Sequence, residues 1–457
     1  MSRRGRTTLT TLWIGALSTF LIALTLTRRD SPPVAPEPDV AAALLHVPAP
    51  EPELPPRILE RLPVTRAALA MRAADAEGVE TGRVSEAGVT GRLFERVTLE
   101  GSGPLRVEYT LEADLTRHAF RVLERGRVAL GHVVLLDPRT GRLLAYASTN
   151  ARAFPPTRAY PAASLVKVIT AAAALSAVPE TARLPCRFSG DPHRLTRANI
   201  DPPKRGKTVS LRRALSTSNN QCFAQLAVHA VGRGPLVEAI ERFGWLAEPA
   251  PAHAAGSADA GEDRYDVAKL GCGLAGCRIT PLHAAQLAGA MADGELVAPR
   301  WIDRVVDADG RELPIPASSI PRRVMAPELA AELREMLVET TTRGTARSAF
   351  RGSGGRPLLG SVEVAGKTGS LNGKAPGGRY EWFIGAAPAE APRIAVAVLL
   401  VQGDLWWRNA SQIAAEVLRG VFCDENDCDS EHVARWIRLP QTQTTAALVP
   451  AVGRIRD

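Results

Sequence analysis

Apolar and polar positions along the chain predict strands near both ends of its globular part. The run GHVVLLDPRTGRLLAYAS, residues 131–148, predicts two strands around a turn, because two apolar β-rich segments flank Asp-Pro-Arg-Thr-Gly. Near the other end, VEVAGKTGS, YEWFIGAAP and RIAVAVLLVQG predict three more strands, and ASQIAAEVLRGVF predicts a helix after them. The first and last strands of the fold are therefore expected to lie far apart in sequence.

The segments between these strands have a helical composition. An alanine-rich run begins near Ser164, and SLRRALSTSNNQCFAQLAVHAV, residues 210–231, predicts helices interrupted around Ser218-Asn219-Asn220. A mainly helical and irregular region continues to about residue 345. Strands at both ends with helices between them indicate one α+β unit whose sheet joins distant parts of the chain.

The first 30 residues predict a membrane anchor. Three arginines precede an uncharged stretch from Thr7 to Thr27, and Arg28 and Arg29 follow it. About 20 uncharged residues can cross a bilayer as a helix, and no A-x-A cleavage site follows, so an uncleaved single span is favoured over a secretory signal. The excess of positive charge before the span predicts a cytoplasmic N-terminus and an exported body.

Proline content separates a linker from the rest of the chain that follows the predicted anchor. Residues 31–60 contain nine prolines and predict a semi-extended linker. The predicted organisation is an anchor, a linker, a short N-terminal region, a catalytic domain and a C-terminal tail, with the boundaries 1–30, 31–60, 61–104, 105–428 and 429–457.

Charge and cysteine content narrow the class of protein. The 457-residue chain carries a net charge of +8, but its arginines are spread out, so a nucleic-acid partner is not expected. A basic surface suits anionic lipid or cell-wall polymer, or serves solubility. Six cysteines in an exported protein suggest disulfides, with two C-x4-C pairs closing small loops and the remaining two pairing with each other: Cys272 with Cys277, Cys423 with Cys428, and Cys186 with Cys222. The cysteine spacing does not fit zinc, and neither a metal nor a cofactor is expected.

The pair Ser164 and Lys167 offers nucleophilic chemistry. A serine hydroxyl needs an adjacent base, and residues three apart on a helix lie on the same face. Burial of a lysine lowers its pKa, so that its neutral amine can accept the serine proton. Taken alone, Ser-x-x-Lys also occurs as an ordinary polar pair.

Two further motifs supply partners for this pair. Ser218 could relay a proton, and the Asn220 amide could hold both Lys167 and a substrate carbonyl, although Ser/Asn clusters also cap helices. On a strand that lines a cleft, Lys-Thr-Gly-Ser at residues 367–370 offers a cation, two hydroxyls and a close backbone approach: Lys367, Thr368, Gly369 and Ser370. An exposed turn is the alternative for this stretch.

Together, the order S-x-x-K, S-x-N, K-T-G resembles the signature of penicillin-binding proteins and serine β-lactamases. The segments YPAASLVKVITAAAAL, LRRALSTSNNQCF, GCGLAGCRITPLHAAQLAGAMADGE, TTRGTARSAF and AGKTGSLNGKAPGGRYEWFIGAAP extend the resemblance to penicillin-binding transpeptidase domains over residues 105–422. The resemblance implies an antiparallel sheet flanked by helices, with an all-helical subdomain and the active site at their junction.

The resemblance also implies residue roles. Ser164 would attack a D-Ala-D-Ala stem peptide of peptidoglycan, and β-lactams would acylate it as inhibitors. Lys167 would be the base, Ser218 would pass the proton to the departing D-alanine, and Asn220 would orient the substrate. Lys367 and Thr368 would bind the terminal carboxylate, and the backbone N–H groups of Ser164 and Ser370 would form the oxyanion hole. An amine from a second stem gives a cross-link, whereas water gives carboxypeptidase activity.

Some features depart from this family. The interval between the anchor and the catalytic region has no room for a glycosyltransferase domain. The extended pedestal of monofunctional cross-linking enzymes is expected to be missing or badly shortened, which leaves the partner proteins of cell-wall synthesis open. Two alternatives are a class D-like β-lactamase and a membrane-tethered sensor that binds β-lactam without turnover. Class D enzymes carry an apolar residue where Asn220 stands, and no E-x-x-L-N segment of class A enzymes is present. Trp406 and Trp407 are expected to pack in the protein rather than to stack on a ligand.

Overall fold

A computed structural model of the chain describes residues 80–82, 92–99, 103–315, 319–403 and 407–437. Within these ranges no helix combines the length and the apolar character needed to cross a bilayer. The predicted anchor and proline-rich linker, residues 1–60, lie outside the described residues.

The central sheet has five antiparallel strands in the order β15-β16-β17-β4-β5. The strands are β4 Leu130–Leu136, β5 Leu143–Ser148, β15 Ala365–Lys374, β16 Gly377–Ala387 and β17 Ile394–Gln402. Pairing of β17 with β4, for example Ala397 opposite Val134, joins segments more than 250 residues apart. The predicted strands at both ends are confirmed, and strand β15, which carries the Lys-Thr-Gly-Ser motif, lies at the edge of the sheet.

Both faces of this sheet are covered, which explains the continuous apolar runs in its sequence. Val133 and Val134 point to opposite faces, and both are fully buried. On one face pack the helices α1 (Ala113–Arg125) and α10 (Ala410–Phe422). The other face belongs to a second core that also includes α8 (Pro281–Ala290).

The remaining helices lie between β5 and β15 in sequence. They are α2 Val166–Ala177, α3 Pro179–Arg183, α4 Leu211–Ser216, α5 Asn220–Gln225, α6 Arg233–Arg242, α7 Arg264–Cys272 and α9 Pro327–Thr342. The break predicted around Ser218 is confirmed, because α4 ends two residues before it and α5 begins at Asn220. This region, expected to be mainly helical and irregular, also contains short strand pairs. Strand β7 Cys186–Phe188 pairs with β8 Lys207–Val209, and β10 Cys277–Ile279 joins β6 Tyr160–Pro161 to β9 Ser257–Ala258.

A second sheet joins the predicted N-terminal region to a later hairpin. Its strands follow the order β1-β2-β3-β12-β13. They are β1 Glu80–Gly82, β2 Arg92–Leu99, β3 Gly103–Glu112, β12 Ile302–Val306 and β13 Glu312–Leu313. Strands β12 and β13 fall in the part of the sequence that was expected to be helical or irregular. A further short pair connects β11 Glu295–Leu296 with β14 Arg322–Arg323.

The structure forms two of the three expected disulfides. Cys186 is joined to Cys222, and Cys423 to Cys428. The expected bridge between Cys272 and Cys277 is wrong, because both thiols are free and buried. Helix α7 ends at Cys272, whose sulfur faces back along the helix toward the Lys269 carbonyl, whereas Cys277 enters strand β10. Both side chains are buried in the same core, but they lie on different elements and form no bond to each other.

The beginning of the predicted C-terminal tail is part of the folded body. A 3-10 turn, Ser430–Arg435, follows the Cys423–Cys428 loop. Val433 and Ile437 are buried in the core that contains α10.

Candidate active site

Ser164 lies in a strained turn directly before helix α2. A short 3-10 turn spans Ala163–Leu165, and Ala163 has a φ of 49°, a left-handed conformation that non-glycine residues rarely adopt. Such strain persists where the surrounding structure enforces it, often at functional sites. Gly273 packs so tightly against this turn that a Cβ there would lie 2.0 Å from the Ala163 carbonyl oxygen. The turn leaves the Ser164 side chain half-buried at a cleft, while its neighbours are buried.

Lys167 is fully buried one helical turn after Ser164. Its Nζ lies 2.7 Å from Ser164 Oγ, 2.7 Å from Asn220 Oδ1 and 2.6 Å from the Cys272 carbonyl oxygen. As an ammonium, Lys167 donates one hydrogen to each of these three oxygens. A neutral amine has two N–H groups and a lone pair, so donation to Asn220 and Cys272 leaves the lone pair directed at the Ser164 hydroxyl.

Burial shifts Lys167 toward this neutral form. Loss of hydration disfavours its charge and lowers the pKa of Lys167 from 10.5 to about 8, although the nearby Cys272 opposes the shift. With this pKa, about a tenth of the molecules carry the neutral amine at pH 7, far more than for a solvated lysine. The expected nucleophile–base geometry is therefore present.

The S-x-N motif occupies the connection between α4 and α5. Ser218 has a φ of 57°, and Asn219 caps α5 by accepting the Cys222 N–H. The Asn220 side chain bridges two parts of the site, because its Oδ1 accepts from Lys167 and its Nδ2 donates to the His193 carbonyl at 2.6 Å. The amide is thus held in a single orientation, and the motif both caps a helix and faces the cleft.

Lys367 is placed differently from the expectation that it faces a substrate carboxylate. Its side chain is fully buried, and its Nζ donates to Ser218 Oγ at 3.0 Å and to the Thr368 carbonyl at 2.7 Å. Burial, and secondarily the charge of Lys167, hold the pKa of Lys367 well below its usual value. The side chain connects the K-T-G strand to Ser218 instead of lining the cleft.

Gly369 allows strand β15 to approach the nucleophile turn. A Cβ at this position would lie 3.3 Å from the Ala162 carbonyl oxygen, the Ala163 Cβ and the Ser164 nitrogen. Strand β16 is fastened to the same segment, since Trp382 Nε1 donates to the Pro161 carbonyl at 2.8 Å. The glycine was expected to let a substrate backbone approach; what the structure shows is that it permits this packing within the protein.

The cleft has a volume of about 460 Å³ and includes residues that sequence motifs did not indicate. Thr345 shares a 2.6 Å hydrogen bond with Thr368 across the cleft wall. Arg379 Nε donates to Ser370 Oγ at 2.7 Å and lies 3.2 Å from Glu381. The only sequence signal for these residues was their place in two segments that extended the family resemblance, TTRGTARSAF and the stretch after K-T-G. The described cleft lining is Ser164, His193, Ser218, Asn220, Gly273, Leu274, Thr345, Thr368, Gly369, Ser370, Arg379, Glu381, Trp382, Asn409, Ala410 and Ser411.

Known proteins that are similar to this chain belong to the family that its sequence motifs resemble. The family model for the penicillin binding protein transpeptidase domain matches residues 131–422. The peptidoglycan D,D-transpeptidase PbpA of Mycobacterium tuberculosis is 29% identical over 336 residues, which are 64% of this chain and 66% of the relative. The chain thus spans slightly less than two thirds of the length of that relative.

Solved structures show the same fold. The penicillin G acyl-enzyme complex of penicillin-binding protein A from M. tuberculosis has a TM-score of 0.55 at 26% identity, covering 68% of this chain and 79% of that one. Pseudomonas aeruginosa PBP2 in complex with WCK 5153 has a TM-score of 0.58 at 23% identity, covering 71% and 81%.

Proposed function

Because the chain belongs to the penicillin-binding protein transpeptidase family, we propose that it is a serine D,D-transpeptidase that cross-links peptidoglycan stem peptides. The observation that carries this proposal is the placement of Lys167. A buried amine lies 2.7 Å from the Ser164 hydroxyl and has its other hydrogen-bonding positions taken by Asn220 and Cys272.

In the first half of the reaction, Ser164 Oγ attacks the carbonyl carbon between the two D-alanines, and its proton moves to Lys167 Nζ. The peptide C–N bond then breaks, and the departing amine takes a proton from Ser218. Lys367 donates to the Ser218 oxygen, so the hydroxyl hydrogen of Ser218 is left free to point toward the leaving nitrogen. Lys167 returns its proton to Ser218, and an acyl-serine ester remains.

Substrate binding follows from the groups that face the cleft. Thr345, Thr368, Ser370 and Arg379 offer three hydroxyls and a guanidinium to the terminal carboxylate. Lys367 contributes indirectly, because its hydrogen bonds hold strand β15 and Ser218 in place. The backbone N–H groups of Ser164 and Ser370 serve as the oxyanion hole, a contribution of about 3 kcal/mol for each donor.

In the second half, the amine of a neighbouring stem attacks the ester carbonyl and gives a proton to Ser218, which passes its own proton to Lys167. Lys167 returns a proton to the Ser164 oxygen as the ester C–O bond breaks, so the serine hydroxyl is restored. The product is a new peptide bond between two stems. Attack by water would instead release a shortened stem, which is D,D-carboxypeptidase activity. A peptide donor incubated with and without an acceptor amine separates these outcomes.

The site is proposed to act outside the cytoplasm. Residues 7–27 would anchor the chain in the inner membrane, with the catalytic domain in the periplasm or the extracellular space. The Cys186–Cys222 and Cys423–Cys428 disulfides support an oxidising compartment, where such bonds persist. Cell-wall synthesis proteins are expected as partners.

Time-resolved intact-mass spectrometry with a penicillin tests the function, with Ser164→Ala as the control. A long-lived adduct on the unmodified chain, absent from the variant, supports an acylating transpeptidase. An adduct that decays within seconds while the drug is hydrolysed identifies a β-lactamase. If the folded chain forms no adduct, the three motifs do not form a working acylation site and the proposal is wrong.

A long-lived adduct does not separate turnover from sensing, so a peptide donor with an acceptor amine is the second measurement. Formation of a cross-linked product supports the transpeptidase. A stable penicillin adduct without any peptide product identifies a sensor and contradicts the proposed activity.

A further inference from the structure

Trp407 is an exposed aromatic side chain beside the cleft. It lies in the connection between β17 and α10, and 64% of its surface is exposed, in contrast to the packing role expected from the sequence. The guanidinium carbon of Arg127 lies 4.5 Å from the centre of its ring. Arg127 follows helix α1 with a φ of 51°, so a rare backbone conformation places this cation against the tryptophan.

Arginines extend from this contact along helix α1. Arg117, Arg121 and Arg125 are spaced four residues apart, which places them along one side of the helix. A groove of about 500 Å³ contains Arg117, Arg121 and Arg127 together with the apolar Phe120. Arg117 pairs with Asp114, whereas Arg121, Arg125 and Arg127 form no ion pair in the described part of the chain.

This surface leads along the chain to the cleft lining. Arg408, the next residue after Trp407, lines a smaller cavity of about 190 Å³ together with Arg125. Asn409, Ala410 and Ser411 then line the cleft that contains Ser164. A ligand that lies on Trp407 is therefore two residues along the chain from Asn409 in the cleft lining.

We propose that Trp407, Arg121, Arg125, Arg127 and Arg408 form a subsite for the peptidoglycan strand that carries the reacting stem, which we call the strand subsite. This inference rests on the proposed function and adds to it where the polymer lies. A flat exposed indole suits stacking of a sugar ring, and arginine forks bind the carboxylates of neighbouring stems. An anionic bilayer would also attract arginines, but the position of Trp407 and Arg408 directly before the cleft-lining residues 409–411 favours the substrate polymer.

Binding of the full-length protein to two immobilised probes tests the strand subsite. The probes are uncross-linked peptidoglycan strands and the same strands after removal of their stem peptides. Trp407→Ala is expected to weaken binding to both probes by about tenfold, as for an aromatic contact at the centre of an interface. Arg121→Gln is expected to weaken binding only to strands that carry stems, because the stems supply the carboxylates.

Matched controls exist elsewhere on the surface. Leu184 is 65% exposed, nearly the same fraction as Trp407, and Leu184→Ala should bind both probes like the unmodified chain. Arg233 is exposed on helix α6, and Arg233→Gln should do the same. If Trp407→Ala binds both probes as Leu184→Ala does, the strand subsite is wrong. Binding to phosphatidylglycerol vesicles in preference to strands also overturns it and assigns the surface to lipid.

The two proposals can fail separately. Arg127→Gln is a second variant in case Trp407→Ala does not fold, and it should lose binding to stem-bearing strands. A penicillin adduct on the unmodified chain together with unaffected strand binding in both variants rejects the strand subsite alone. Strand binding with the expected pattern but no penicillin adduct rejects the proposed reaction and retains the subsite.

Discussion

At the scale of single residues, the reactivity of the site depends on where the hydrogens of Lys167 go. Asn220 Oδ1 and the Cys272 carbonyl oxygen each accept one hydrogen of the neutral amine. Burial lowers the pKa of Lys167 and so weakens its tendency to bind a third hydrogen. The same lysine in a solvated helix would remain protonated near neutral pH. The surroundings of Lys167 therefore give it the properties of the proposed base.

The pH dependence of acylation should report this lysine. With a pKa of about 8 for Lys167, the neutral fraction falls about tenfold for each pH unit below 8 and saturates above it. The second-order rate of acylation by a fluorescent penicillin should follow this curve between pH 6 and 9.5. A rate that stays flat across this range would show that Lys167 is not the base.

Asn220→Asp sharpens the same measurement. A carboxylate in place of the amide oxygen 2.7 Å from Nζ stabilises the ammonium and should raise the pKa of Lys167 by about one to three units. The midpoint of the rate profile should move to higher pH, and acylation at pH 7 should slow accordingly. An unchanged midpoint would contradict the contact between Asn220 and Lys167.

His132 predicts a defined sensitivity to acid. It is fully buried, stacks on Phe154 with ring centres 4.3 Å apart, and has no hydrogen bond at either ring nitrogen within the described structure. Burial lowers the pKa of His132 to about 3, whereas the unfolded chain takes up a proton near 6.5. Stability is therefore lost as pH falls below 6.5, by about 2 kcal/mol at pH 5 from this residue.

His132→Phe should remove that sensitivity. The new ring keeps the aromatic stacking and has no unsatisfied nitrogens, so the melting temperature at pH 5 should rise more than at pH 7.5. His283→Phe is the contrasting variant. The Nε2 of this buried histidine lies 3.0 Å from the Phe243 carbonyl oxygen, so the substitution removes a hydrogen bond and should lower the melting temperature at pH 7.5. Equal effects of the two substitutions at pH 7.5 would contradict this account.

At the scale of elements, the close approach of strand β15 to the turn Ala163–Leu165, which carries Ser164, should affect the rate of acylation. Gly369→Ala places a methyl group 3.3 Å from three atoms of that turn, so the strand or the turn must shift by a few tenths of an ångström. Acylation should slow by about tenfold to a hundredfold, while stability should change by no more than about 1 kcal/mol.

Gly377→Ala provides the matched control for this strand substitution. Gly377 belongs to the same hairpin, and its added methyl group meets nothing closer than 4.0 Å. Its acylation rate should equal that of the unmodified chain. If both alanine substitutions slow acylation equally, flexibility of the hairpin and not the close approach at Gly369 governs the site.

The elements themselves could largely be predicted from the sequence. Helix α10 has the predicted limits, and all five strands of the central sheet were expected, because local periodicity and turn residues determine them. The β12–β13 hairpin was missed, since Ile302–Val306 is short and only partly apolar. Its strand character comes from pairing with β3, which is remote in sequence.

At the scale of the whole molecule, the two disulfides should contribute unequally to stability. Cys186 and Cys222 are separated by 36 residues, whereas Cys423 and Cys428 are separated by five. Cross-linking the longer loop removes more unfolded-chain entropy, so replacing both members by alanine should cost about 3–4 kcal/mol, against about 2 kcal/mol for the shorter pair. Urea unfolding of the two double variants measures the difference.

One end of the longer bridge, Cys222, is close in sequence to the site. Cys222 lies two residues after Asn220 on helix α5, so its removal is expected to slow acylation as well as to lower stability. The Cys423–Cys428 variant should lose stability without a change in acylation rate. Equal losses of stability in the two variants would contradict the entropic account.

The sequence by itself determined the order of the three motifs, the one-turn spacing of Ser164 and Lys167, and the elements that carry them, because all of these depend on residues close in the chain. Only the tertiary structure decided that the Cys272 carbonyl completes the surroundings of Lys167, that Lys367 is buried behind Ser218, and that Cys272 and Cys277 stay apart. The first two features join segments more than 100 residues apart. The third depends on how the end of helix α7 and strand β10 pack into the core, which no local pattern encodes.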